Sequence, residues 1–164
     1  MCAESYRTTI EQFFSRDTIT ATRWKNGGGV TREVAKSPSQ APFWRVSIAN
    51  VDQEGPFSSF VDLDRILTVI EGKGMVLARK NGDLIADLHN PVHFSGSDKI
   101  DGLLPNGPIK DFKLIFDGSN FEADVSVTNT ITIDIQPPSN LIMTLVYCLT
   151  GAFQVIVNTK SSSN

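Results

Sequence analysis

At 164 residues, with 15 basic against 18 acidic side chains and a net charge of -3, the chain is sized for one domain or two fused half-domains. The acidic balance argues against a general binder of nucleic acid or of anionic membrane, since neither target would be attracted. Hydrophobic content of 40% is ordinary for a folded globular protein, and no run approaches the roughly eighteen apolar residues of a membrane span.

The opening MCAESYRTTIEQ turns polar at its fourth residue and does not read as a signal peptide. Cys2 and Cys148 stand far apart, in no metal or redox spacing, and read as reduced thiols of a cytoplasmic protein. Residues 10–14 form an apolar run too short to separate a strand from one helical turn. Residues 18–24 alternate β-branched and small side chains and read as a strand running into WKNGGGVTREVA. The three glycines there, Gly27, Gly28 and Gly29, can take positive φ and expose backbone N–H groups. Such a segment either turns tightly between two strands or lets a ligand approach the main chain. A phosphate-binding loop is excluded, because Lys25 precedes the glycines and β-prone Val30 and Thr31 follow them.

Residues 31–35 leave the glycines as the next short strand, and 37–42 are a loop by composition. Residues 43–51 give the clearest strand of this half. Trp44, Val46 and Ile48 fall on one face, predicted to be core. Arg45, Ser47 and Ala49 fall on the other, which is either wet surface or the lining of a polar cavity. Residues 52–60 read as a turn at Gly55-Pro56 with Phe57 and Phe60 packed back. Residues 64–71 form a strand closed by Gly72. Residues 74–80 are predicted to pair with 83–88 across Asn81-Gly82 in a type I′ hairpin, which needs positive φ at both turn positions. Residues 89–94 continue extended through Pro91, and 95–98 turn the chain. Residues 109–117 form a further strand with Phe112, Leu114 and Phe116 on one side.

Beyond Asp117-Gly118-Ser119-Asn120 strands are predicted again over 122–127, 130–135, 141–149 and 153–157, followed by a polar tail. No long amphipathic helix is present. Short strands at regular spacing with turns between them predict an all-β sandwich or barrel with little helix.

His89 and His93 are the only histidines. They lie four apart with Pro91 between them and no further ligand pair nearby, short of the three or four converging donors a metal needs. No metal and no cofactor are expected. No Gly-x-Ser-x-Gly elbow exists, and neither cysteine has a neighbouring His. Acid–base pairs could be drawn from Glu33, Asp62, Asp64, Glu71 or Asp111, with nothing to prefer one pair. Arg45 and Arg65 each admit two readings, ordinary strand surface or an anion clamp whose planar fork matches a carboxylate. The two tryptophans read as core or cavity wall rather than as platforms for bases.

The blocks WKNGGGVTREVA, FWRVSIANV, GPFSSF, DRILTVIEGKGM and GPIKDF, in that order over residues 24–112, resemble the HutD/Ves family. The resemblance implies a cupin-like double half-barrel. Residues 1–117 would be an N-terminal barrel with the motifs, and 118–164 a shortened second half. It further implies a link to histidine utilisation and binding of a small carboxylate such as formate or a formylated glutamate, with no established catalytic activity. Ligand-binding candidates carried over by position are Lys25, Asn26, Gly28 and Arg32 around the glycine loop. Downstream they are Arg45, Ser47, Ser58, Arg65 and Asp111. The family pattern usually has Asn where Lys113 stands here, which bears on any ligand contact at that position. The shortened second half would leave a strand edge unpaired, which predicts a homodimer.

The expectation is a small carboxylate held by Lys25, Arg45 and Arg65, against internal pairing of those cations with Glu33, Asp64 or Asp111. The function that follows is a non-enzymatic regulatory or sensor protein, with no nucleic-acid or membrane partner. The alternative is a metal-independent barrel enzyme, an isomerase or a hydrolase of an amide or formyl group. An interaction module without a ligand is the third reading.

Overall fold

Residues 109–116, IKDFKLIF, alternate two kinds of side chain over eight positions, and a strand sends such a pattern to opposite faces. In the structure this segment is the central strand of the larger sheet. A computed structural model describes residues 18–129 and 143–151 of the chain. Its strands are β1 (Ala21–Arg23), β2 (Gly29–Lys36), β3 (Trp44–Val51), β4 (Gly55–Pro56) and β5 (Asp64–Glu71). They continue as β6 (Met75–Ala78), β7 (Leu84–Ala86), β8 (Val92–Ser95), β9 (Asp101–Leu103) and β10 (Ile109–Phe116).

These strands make two sheets, one of six strands in the order β1-β2-β3-β10-β5-β8 and one of four in the order β4-β9-β6-β7. Paired strands run antiparallel throughout both. The described residues contain no α-helix, and no helix is long and apolar enough to cross a membrane. The chain divides into two units, Met1–Val127 and Thr128–Asn164, and all ten strands belong to the first. The described residues of the second unit form no strand or helix.

The first unit is therefore all-β, as its alternating segments and turn residues predict. Strand β5 matches its predicted bounds, and its six inner residues are all buried, so both of its faces are covered. Three details differ. Strand β9 is absent from the sequence reading, since Asp101-Gly102-Leu103 is too short and too polar to show a period. The Asn81-Gly82 turn does join β6 to β7, but only Gly82 has positive φ, at 100°. Its amide donates to the Arg79 carbonyl at 3.3 Å. The loop is longer than two residues, so a primed turn is not required.

Residues 122–127, predicted as a strand, are the third difference. They show alternating burial but enter no ladder, because an extended segment becomes a strand only with a partner. The described part of 141–149 is likewise irregular. Predicted segments 10–14, 130–135 and 153–157 lie outside the described residues.

The inner face of the larger sheet changes character along its length. At one end Ala49, Val51, Leu67, Val69 and Ile109 join Met75, Leu77 and Ala86 of the smaller sheet in one apolar cluster. Burying such aliphatic side chains contributes roughly 1.5–3 kcal/mol each, which makes this end the anchor of the unit. At the other end the same face carries charge.

Candidate functional site

Register decides which side chains meet. On β10 Lys113 lies opposite Ser47 of β3 and Leu67 of β5, while Ile115 lies opposite Arg45 and Arg65. Asp111 lies opposite Ala49 and Val69. Side chains opposite one another share a face, so Arg45, Ser47, Arg65, Asp111 and Lys113 all point to the inner side of the sheet. At Lys110/Asp111, where β5 carries Ile70 as an extra residue, the register shifts by one, so the alignment described holds from Asp111 to Phe116.

The polarity of β10 is the reverse of what its composition suggests. Asp111 is fully buried and Lys113 nearly so, at 0% and 8% exposure, whereas Phe112 and Leu114 are only half-buried. Arg65 is 3% exposed and Ser47 2%. Arg45 is half-buried, and it also lines a surface pocket of about 180 Å³ with Glu33, Ser37 and Phe43.

Aromatic rings wall the cluster. The Arg65 guanidinium carbon lies 5.3 Å from the Phe57 centroid, 5.2 Å from Phe60 and 4.9 Å from Phe94. Arg45 stands 5.2 Å from the same Phe60 ring. Lys113 Nζ lies 5.0 Å from Phe57 and 5.6 Å from Trp24. Each such contact contributes about 0.5–2 kcal/mol, the more so where water is excluded.

Phe60 is held by its main chain. Its amide donates to the Gly96 carbonyl at 2.8 Å, and the Gly96 amide donates to the Leu63 carbonyl at 2.7 Å. A Cβ at position 96 would run into the Phe60 carbonyl, so only glycine allows this approach. Trp24 is fixed by its indole N–H, which donates to Thr31 Oγ1 at 2.7 Å.

Charge in the cluster does not balance. Three cations face one carboxylate, and only one pair forms: Lys113 Nζ to Asp111 Oδ2 at 3.3 Å. Neither arginine reaches a carboxylate among the described residues. Arg65 donates through one terminal nitrogen to the Ser58 carbonyl at 3.1 Å. Its Nε is buried and donates to nothing, and the same holds for Arg45 Nε. Glu33 instead pairs with Lys36 at 2.8 Å on the surface, and Asp64 is exposed.

Burial pushes the Asp111 carboxyl up, and the neighbouring Lys113 and Arg65 only partly oppose it. Burial likewise pushes the Lys113 amine down, against the pull of Asp111. The Arg65 guanidinium is lowered to about 10, chiefly by desolvation, with Asp111 pulling it up and Arg45 pushing it down. Arg45, Arg65 and Lys113 thus outnumber Asp111 among the buried and half-buried ionisable side chains of this cluster. His89 and His93 are exposed, and no trio of metal-ligating side chains gathers among the described residues.

The remaining sequence candidates lie elsewhere. Lys25 and Asn26 are exposed in the β1–β2 turn. That turn uses its amides internally: Gly27 N–H donates to the Trp24 carbonyl and Gly28 N–H to Asn26 Oδ1. The buried Gly28 carbonyl accepts from Asp52 and Gln53, and a Cβ on Gly29 would strike the Asn50 carbonyl. The glycine segment thus works as a tight turn packed on β3, and its Gly27 and Gly28 amides are not free donors. Arg32 points to the opposite face of the sheet, where it donates to Asn50 Oδ1 at 3.0 Å. Ser58 is exposed and offers Arg65 its carbonyl.

The sequence reading names Lys113 only as a departure from the family pattern and leaves it out of the ligand set. The signal was available, since alternation puts it on the Asp111 side of β10, away from Phe112 and Leu114. Phe57 and Phe60 carried no comparable signal, because loop composition does not tell which partner a ring will cover.

Comparison with known proteins adds a second line of argument. The family model described as HutD matches residues 16–164. Protein Ves of Cronobacter sakazakii is 30% identical over 148 residues, 88% of this chain and 79% of that protein. An uncharacterised 21.2 kDa protein in the hutC 3′ region of Pseudomonas putida is 35% identical over 106 residues, 61% of this chain and 55% of its own length. Among solved structures, HutD from Pseudomonas fluorescens SBW25, in a formate condition, is 36% identical with a TM-score of 0.60. That likeness covers 63% of this chain and 58% of the other. The chain therefore spans a little over half the length of these two Pseudomonas relatives. KdgF from Halomonas, at 13% identity and a TM-score of 0.53, shares the cupin-like β fold alone.

Proposed function

The chain belongs to the HutD family, and from that premise we propose that its first unit binds a small carboxylate between its sheets. The binding would serve a regulatory or sensor role linked to histidine utilisation, without catalysis. One observation carries this reading: among the described residues three inward-facing cations meet a single buried carboxylate, and two arginine Nε donors have no acceptor. Unpaired buried cations cost several kcal/mol each, so a fold that keeps them gains most when an anion arrives. Arginine suits the task, because its fixed fork meets both carboxylate oxygens at once. The formate condition named for the Pseudomonas fluorescens relative is consistent with such a ligand.

The seat we assign comprises Arg45, Arg65 and Lys113, with Ser47 alongside. Lys113 takes the place that the sequence reading gave to Lys25. The test is thermal: formate or formylglutamate at millimolar concentration raises the melting temperature of the wild type, and Arg45→Ala removes the rise. A charge-assisted contact contributes about 1.5–3 kcal/mol, enough to be read in this way. If no small carboxylate shifts the wild type, the reading fails.

A further inference from the structure

We infer that Lys113 captures carbonyl-bearing carboxylates covalently, its Nζ forming a reversible imine with a 2-oxo acid whose carboxylate rests on the flanking arginines. The inference rests on the carboxylate reading above and adds chemistry at a residue that reading uses only as a charge.

Position comes first. Arg45 and Arg65 each lie diagonal to Lys113 on the strands flanking β10, both being opposite Ile115. Diagonal neighbours on one sheet face stand about 7–8 Å apart at Cα, within reach of long side chains converging on one small molecule. A carboxylate held by either guanidinium would bring its adjacent carbon within the span of the Lys113 side chain, and in a 2-oxo acid that carbon is the carbonyl. Arg45 also borders a surface pocket, which gives the cluster a side toward solvent.

Environment comes second. An amine attacks a carbonyl only when neutral, and burial among apolar rings is the standard way to obtain a neutral lysine. Lys113 is 8% exposed, lies against Trp24 and Phe57, and shares its inner face with two arginines. Its pKa is lowered accordingly, while that of Asp111 is raised, so both shifts favour passing the lysine's proton to the carboxyl 3.3 Å away.

The step balances within these groups. The neutral Nζ adds to the carbonyl carbon, the C–O π bond breaks, and one of the nitrogen's protons passes to the oxygen, giving a carbinolamine. The Asp111 carboxyl then protonates the departing hydroxyl, which leaves as water and yields the C=N bond. Hydrolysis by the reverse path releases both partners. No oxidant or reductant is consumed.

Pyruvate with sodium cyanoborohydride tests the inference, because hydride delivered to an imine fixes it as a stable secondary amine. Formate serves as a control carboxylate without a reactive ketone. Intact mass followed by peptide mapping should find a single adduct on Lys113 in the wild type, suppressed by excess formate. Lys113→Met, close in shape to lysine, should lose it. Mapping on the wild type decides the matter even if the variant fails to fold. Thermal stabilisation by both acids with no adduct, or with adducts spread over exposed lysines such as Lys25 and Lys73, overturns the inference and leaves the carboxylate reading intact. Absence of stabilisation by either acid overturns both.

Discussion

Lys113 Nζ stands 3.3 Å from Asp111 Oδ2, two positions away on the same face of β10, and both side chains are buried. Among the described residues it is the one ion pair with both side chains buried, and the neighbouring Arg45 and Arg65 reach no carboxylate there. The expected behaviour of the protein follows from that imbalance.

Removing the carboxylate should be costly. Asp111→Asn leaves the buried Arg65 and Lys113 and the half-buried Arg45 without a nearby counter-charge, and breaking a buried pair in this way costs about 3–5 kcal/mol. Chemical unfolding without added anion should show that loss. Formate should restore more stability to this variant than to the wild type, because binding then offsets a larger repulsion.

Removing a cation should act in the opposite sense. Arg65→Met keeps most of the side-chain volume against Phe57, Phe60 and Phe94 while deleting the charge. The lost ring contacts are worth about 0.5–2 kcal/mol each, against a desolvation cost of several kcal/mol for the ion. Ligand-free stability should be unchanged or higher, and stabilisation by formate should fall away. A variant that is both unstable and still stabilised by formate would assign Arg65 a purely structural role.

The pair also sets a pH signature. The native Asp111 pKa lies above 3.8, so as pH rises from there the native carboxyl keeps a proton that the unfolded chain has lost, and its contribution to stability falls. The native Lys113 pKa lies below 10.5, so on approach to that value the native amine has lost a proton the unfolded chain still binds, and stability rises. Unfolding midpoints taken from neutral pH to just below about 10, where Arg65 begins to titrate, should climb in the wild type relative to Lys113→Met.

Gly96 offers a test that changes no charge. A methyl group there meets the Phe60 and Leu63 carbonyls and must push the loop outward. Overpacking of this kind costs about 1–3 kcal/mol. Gly96→Ala should lower stability by that amount and weaken stabilisation by formate as well, since Phe60 backs both arginines.

The sequence made much of this scaffold legible, and the limits are instructive. Strands β3, β5 and β10 show clear periods, with turn residues at their ends, and those three carry every charged member of the cluster. Arg45, Ser47, Arg65 and Asp111 could be named because alternation and family motifs agree on them. Lys25 could not be placed, because a cation beside a glycine turn looks available until the amides of that turn are accounted for. Lys113 is missing from the sequence-derived ligand set because the family pattern usually has Asn at that position. Which face of a central strand is drier depends on what packs across it, and that is not local information.

Arg65 donates a hydrogen bond to the carbonyl of Ser58, and Phe60 is pinned through its own amide and carbonyl. The loop therefore contributes to the cluster through atoms that every amino acid possesses. Its exposed positions 58, 59 and 61 are free to drift over evolutionary time without disturbing what the main chain holds. Comparing relatives residue by residue would then under-record this loop, and the durable mark of its role would be the glycine beneath it.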